Sequence, residues 1–161
     1  MFAPPAHTER MVRLYRERFE HYGHGAAADA VVGLGAQAFV RTRSQDAISE
    51  YTRLMGSSPT MGGYSVPEYM KATPLAVGSP QEVIDKILTY RDYAGTIQRL
   101  LFNIDSGGMP PAIASEQLQL LATEVLPTLR REMTPTDPPA VPITHAERVR
   151  AASLSLQPTL D

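Results

Sequence analysis

The sequence predicts an incomplete, helix-rich α/β fold with about two parallel strands. Two apolar runs carry the strands: "AVVGLGAQAFV" at 30–40, and the run at 97–105 that contains "RLLFNID". Both are too continuous for half-exposed strands and read as strands buried on both faces, the kind found in parallel sheets. Around and between them apolar residues recur at helical spacing, and a crossover through helices makes the two strands parallel and the crossover right-handed. The order is helix, strand, helix, loop, helix, strand, helix, tail. The pattern is α/β, yet it contains little β.

Each element has a local reason. In "TERMVRLYRERFEHY", 8–22, Val12, Tyr15, Phe19 and Tyr22 fall on one helical stripe, opposite Arg and Glu. Gly23 follows as a C′ residue. The strand at 30–40 comes next, its two glycines read as permitting close packing in a buried strand. "SQDAISEYTRLM", 44–55, is a helix opened by Ser44, with Ile48, Tyr51 and Met55 inward. The stretch 56–74 reads as one long irregular connection, of the kind that forms lids or binding loops. Ser79, Pro80 and Glu82 then supply N-cap, N1 proline and N3 acid for a helix over 80–94. Its buried stripe is Val83, Ile84, Ile87 and Leu88, and Gly95 closes it. After the second strand, a helix over 111–126 turns Ala114, Leu118, Leu121 and Val125 inward, and Pro127 predicts a kink or restart. Residues 134–161 are proline-rich with little apolar periodicity. They are expected to be a frayed or disordered tail, separate from a folded unit of 1–133.

Composition narrows the function classes. The 161 residues carry a net charge of −2, and all but two of the 15 basic residues are Arg dispersed among acids. Nothing resembles the basic footprint of a nucleic-acid binder. There are no cysteines, so disulfides and thiolate metal sites are excluded. No apolar run approaches the roughly 20 residues that span a bilayer. The opening lacks a basic n-region and an apolar h-region, and the cytoplasm is the expected compartment.

Three local patterns invite chemistry. "GLGAQA", 33–38, matches G-x-G-x-x-A, but the helix waits until Ser44 and no second strand follows within thirty residues, so it is not read as a dinucleotide site. Gln37, near that strand's end, is a candidate ligand contact. His21 and His24 stand three apart at a helix end with no third ligand in view, and no metal site is expected. The third pattern is the strand end "NIDSGGMPP", where Asp105, Ser106, Gly107, Gly108 and Met109 form a polar turn at the carboxyl end of a parallel strand. Ligands gather at such ends. For Asp105 the favoured reading is that it accepts from the turn's own backbone N–H groups, with a flavin or substrate cleft as the functional alternative.

Residues 73–132 resemble the C-terminal end of the luciferase-like flavin-dependent monooxygenase family. The resemblance lies in "VGSPQEV" opening a helix, a strand ending in "DSGGMP", and a closing helix with "LLATEVLPTLR". Residues 2–55 fit the preceding part more loosely, through a helix with "LYRE", a strand, and "QDA" beginning a helix. The resemblance implies the C-terminal portion of a (βα)8 TIM-barrel, with 30–40 like the seventh strand, 97–105 like the eighth, and 56–74 an insertion. It implies FMN, or the deazaflavin F420, as cofactor, with reduced flavin and O2 acting on a small organic substrate. A whole barrel needs about 250 residues, so most strands are missing and no catalytic residue can be placed. Gln37 and Asp105 to Met109 are the positions it carries over as cofactor-binding. A homo-oligomer, or a partner chain supplying the missing strands, is expected. The alternative is a non-catalytic partial barrel that acts through association with a partner chain.

Overall fold

The computed structural model describes residues 3–56, 58–104 and 109–133, so Asp105–Gly108 and the tail 134–161 lie outside the described residues. Three parallel strands form one sheet: β1 (Gly33–Val40), β2 (Leu75–Gly78) and β3 (Arg99–Asn103), in the order β2-β1-β3. The expected count of about two is corrected by β2. It is only four residues long and runs directly into the capping signal at Ser79, which masks it as the approach to a helix. β1 pairs with β3 from Gly33 to Gln37 and with β2 from Gln37 to Val40. All three strands therefore meet at Gln37.

Helices pack on both faces. The helices are α1 (Pro5–His21), α2 (Ser44–Met55), α3 (Val66–Ala72), α4 (Pro80–Leu88), α5 (Tyr90–Ala94), α6 (Pro111–Leu120) and α7 (Leu126–Met133). Alternation along β1 divides the core in two. Ala36, Ala38 and Val40 join Val12, Ile84, Ile87, Tyr90, Leu121, Val125 and Leu129 on the face of α1, α4, α5 and α7. Phe39, Leu75 and Val77 join Tyr51, Met55, Val66, Tyr69 and Met109 on the face of α2 and α3. The chain passes from β1 to β2 across the second face, then from β2 to β3 across the first. Two crossovers of one hand that run in opposite directions must use opposite faces.

Several sequence expectations shift. Within 56–74, Ser65 caps α3, with Glu68 Oε2 accepting from Ser65 N at 3.0 Å and Oγ at 2.6 Å. That stretch is thus not wholly irregular. The helix expected over 80–94 breaks at Thr89 into α4 and α5. The restart near Pro127 takes the form of a π-helical turn, Leu121–Val125, joining α6 to α7. A proline ring collides with the carbonyl four residues back, and the wider turn relieves this. The α1 stripe buries Val12 alone, while Tyr15 and the C-cap Tyr22 remain exposed. On α6 the buried side chain is Gln117, and Leu118 is 58% exposed.

The expectation of strands buried on both faces holds only at the carboxyl half of β1. In β3 the residues alternate between exposed and half-buried, and Leu101 is 63% exposed. Gly33 and Gly35 share that open face. A Cβ built on Gly35 would meet nothing within 4 Å, and one on Gly33 would make only ordinary contact with Arg99 Cβ at 3.6 Å, so close packing requires neither glycine.

Candidate functional site

Among the described residues two of the sequence-predicted site residues, Gln37 and Met109, can be placed. Gln37 lies 5% exposed at the meeting of the strands, in register with Leu75 on one side and Asn103 on the other. Met109 is 8% exposed and packs in the core of α2 and α3. Both are therefore buried in the fold. Asp105, Ser106, Gly107 and Gly108 fall outside the described residues.

Two clefts that parallel sheets commonly offer to ligands are filled here by the chain's own side chains. The first lies between β1 and β2, whose following helices leave to opposite faces; such a divergence is where α/β sheets bind ligands. Arg41 N donates to Gly78 O across it at 3.1 Å. Glu82 Oε2 accepts from the Ser44 hydroxyl, from Ser79 N at 2.8 Å and from Ser79 Oγ at 2.7 Å. These donors hold the Glu82 carboxyl below the usual carboxylate range, the Ser44 hydroxyl contributing most. The start of α4 thus presents a carboxylate, the wrong charge for a phosphate. Gly78 is required beside it, because a Cβ there would approach Glu82 Oε2 to 2.7 Å.

The second cleft is the gap on the other edge of β1, where β3 has ended. Gln117 fills it. Its Oε1 accepts from Val40 N at 2.6 Å and its Nε2 donates to Val40 O at 2.9 Å. One carboxamide thereby replaces the strand neighbour that Val40 lacks on this edge.

Arg41 closes the mouth. Its Nε donates to Glu50 Oε2 at 2.6 Å, its Nη1 lies 3.2 Å from Glu116 Oε2, and its guanidinium sits 4.9 Å from the centre of the Phe39 ring. The Arg41 guanidinium holds the Glu50 carboxyl below its ordinary range. With both carboxylates engaged, Arg41 is committed to the fold rather than to an anionic ligand. Sequence reasoning missed Arg41 and Gln117; an Arg immediately after an apolar strand was the available signal. Among the described residues no group of three or more His, Cys, Asp or Glu side chains could hold a metal ion. Nor is any of their helices long and apolar enough to cross a membrane.

What stays open is the sheet face at Gly33, Gly35 and Leu101. It is bare of side chains at Gly33 and Gly35, and exposed Arg99 and Asn103 flank Leu101 on it.

The fold is similar to that of the monooxygenase RslO1 from Streptomyces bottropensis, with a TM-score of 0.63 and 19% identity over 78% of this chain. It is also similar to the riboflavin lyase RcaE, whose structure was determined with modified FMN and riboflavin as substrate; there the TM-score is 0.59 at 18% identity over 85% of this chain. The chain spans 39% of the length of each. No family model matches the sequence, and no curated protein matches it.

Proposed function

We propose that the chain is the C-terminal portion of a luciferase-like, flavin-dependent oxidoreductase built on a (βα)8 barrel. The observation that carries this reading is the bare sheet face at Gly33, Gly35 and Leu101, in a fold similar to those of a monooxygenase and of a riboflavin lyase seen with modified FMN. On this reading β1 and β3 are consecutive barrel strands, linked over the outer face by α4 and α5. α2, α3 and β2 are an insertion that closes the carboxyl end, and the bare face lines the barrel. FMN, or F420, would lie against that face, with Asp105 to Gly108 as the near contacts and Gln37 and Met109 behind them. Bound reduced flavin supplies the electrons for chemistry with O2 on a small organic substrate. The chain's own part is to shape the pocket and exclude water with Leu101 and the wall around Gln37. Phosphate recognition needs several backbone donors or a cationic clamp, and the remaining strands would bring them.

The test is fluorescence titration with FMN and F420, on the chain alone and joined to the polypeptide encoded in frame upstream of Met1. Sub-micromolar binding is expected only for the joined protein. The reading fails if the joined protein binds neither, or if no strands are encoded there. A second reading, a partial barrel that acts by association, is favoured by one observation: β3 has no strand on its outer side among the described residues, and its Leu101 is exposed.

A further inference from the structure

The outer edge of β3 has a self-complementary pattern. Among the described residues β3 pairs only with β1 and ends the sheet. Val32 O accepts from Arg99 N at 3.3 Å, and Leu34 pairs with Leu100. In a parallel ladder the backbone groups of one residue bond to those either side of its partner. Arg99, Leu101 and Asn103 therefore direct N–H and C=O to β1. Leu100 and Phe102 direct theirs outward, away from any strand.

We infer that a second copy of this chain pairs with that edge, β3 antiparallel to β3, on a two-fold axis at Leu101. In this register Leu100 lies opposite the partner's Phe102, and Phe102 opposite the partner's Leu100. These are hydrogen-bonded pairs that use all four outward groups on each strand. The two Leu101 residues meet as a non-hydrogen-bonded pair, the closer kind, on the open face. Each Arg99 lies opposite an Asn103, so no like charges face one another. Polar residues flank an apolar centre, and the sequence Arg-Leu-Leu-Phe-Asn has the same polarity in both directions, as an isologous interface requires. Leu100 and Phe102 are only half-buried in the single chain although they pack on its core, and pairing completes their cover. The result is a continuous sheet in the order β2-β1-β3-β3-β1-β2. This inference names the partner for the association reading and does not depend on flavin; a chain that binds no flavin leaves it intact.

The absence of cysteine makes a direct test possible. Cα atoms in a non-hydrogen-bonded antiparallel pair lie about 4.5 Å apart, within the range a disulfide spans. Leu101→Cys is expected to cross-link to a covalent dimer at least about tenfold faster than Tyr22→Cys, which is placed at a more exposed residue (66%) on α1's C-cap. Sedimentation of the unmodified chain should show a dimer, and Leu101→Lys, which opposes two charges on the axis, should weaken it by about tenfold or more. Amide exchange at Leu100 and Phe102 should quicken in Leu101→Lys, while Leu101 itself in the unmodified chain stays slow. Equal cross-linking rates at the two cysteines, or a monomer at about 100 μM, would overturn the inference.

Discussion

Gln117 is wholly buried, and its carboxamide answers both backbone groups of Val40. Helical periodicity marks Leu118 for the core instead, with Ala114, Leu121 and Val125. The true inward line is Gln117, Leu121, Val125 and Leu129, a spacing of four that the π-helical turn imposes. A ladder gap that needs an amide leaves no mark on hydrophobic periodicity, so this residue was not legible from sequence. Gln117→Leu should strand the buried N–H of Val40, whose C=O keeps Arg41 Nη1 as a second donor at 3.3 Å. A buried group left unsatisfied costs about 1–3 kcal/mol, and urea denaturation should show a loss of that order or more. Glu82 behaves differently. Its folded carboxyl titrates below the ordinary value of 4.5, so the unfolded chain binds the proton first as pH falls. The stabilisation is therefore present above about 4.5 and is lost as pH drops through the lower folded value. Thermal melts from pH 6 to 3 should fall more steeply for the unmodified chain than for Glu82→Gln; parallel curves would remove Glu82 from the acid response.

Elements with explicit end signals were legible, and those without were not. α2 spans the 44–55 read from sequence, although its N-cap is Arg43 and Ser44 donates its hydroxyl to Glu82 instead of capping, and α4 starts at its Ser-Pro-Gln-Glu signal. β2 was hidden because four residues carry no period, and α3 because Gly, Ser and Pro surround its short core-facing set of Val66 and Tyr69. β3 looked doubly buried because a continuous apolar run does not by itself distinguish an edge strand from a central one. Of the candidate site, Gln37 is buried where the three strands meet and Met109 in the core of α2 and α3, while the filling of both clefts by Gln117, Arg41 and Glu82 depends on long-range packing. The end of α5 gives a further test. Gly95 has φ +66°, where L residues are strained, and a Cβ would stand 3.1 Å from Arg16 Nη1. That guanidinium spans the turn, with Nη1 donating to Ala94 O at 3.1 Å and Nη2 to Thr96 O at 2.8 Å. Gly95→Ala should therefore lower stability by about 1–3 kcal/mol, more than Gly23→Ala, where φ is also positive but no atom lies within 4 Å.

At the scale of the molecule, β1 joins everything. Its alternate residues feed two cores on opposite faces, and each strand neighbour is held through it. Neither core can open while the other persists, because Phe39 and Val40 are adjacent residues committed to different faces. Burial drives the Tyr51 phenol in one core and the Tyr93 phenol beside the other up to about 12, so the two sets of tyrosines report on both sides of the sheet. Calorimetry and tyrosine absorbance are expected to give one coincident transition. If the chains pair through β3, unfolding is linked to dissociation, and the midpoint must rise with protein concentration. Leu101→Lys should abolish that concentration dependence while keeping the single transition. Two separated transitions would show that the faces fold as independent units. A single transition with a midpoint indifferent to concentration would show that the edge of β3 stays solvated and that the three-stranded sheet is stable on its own.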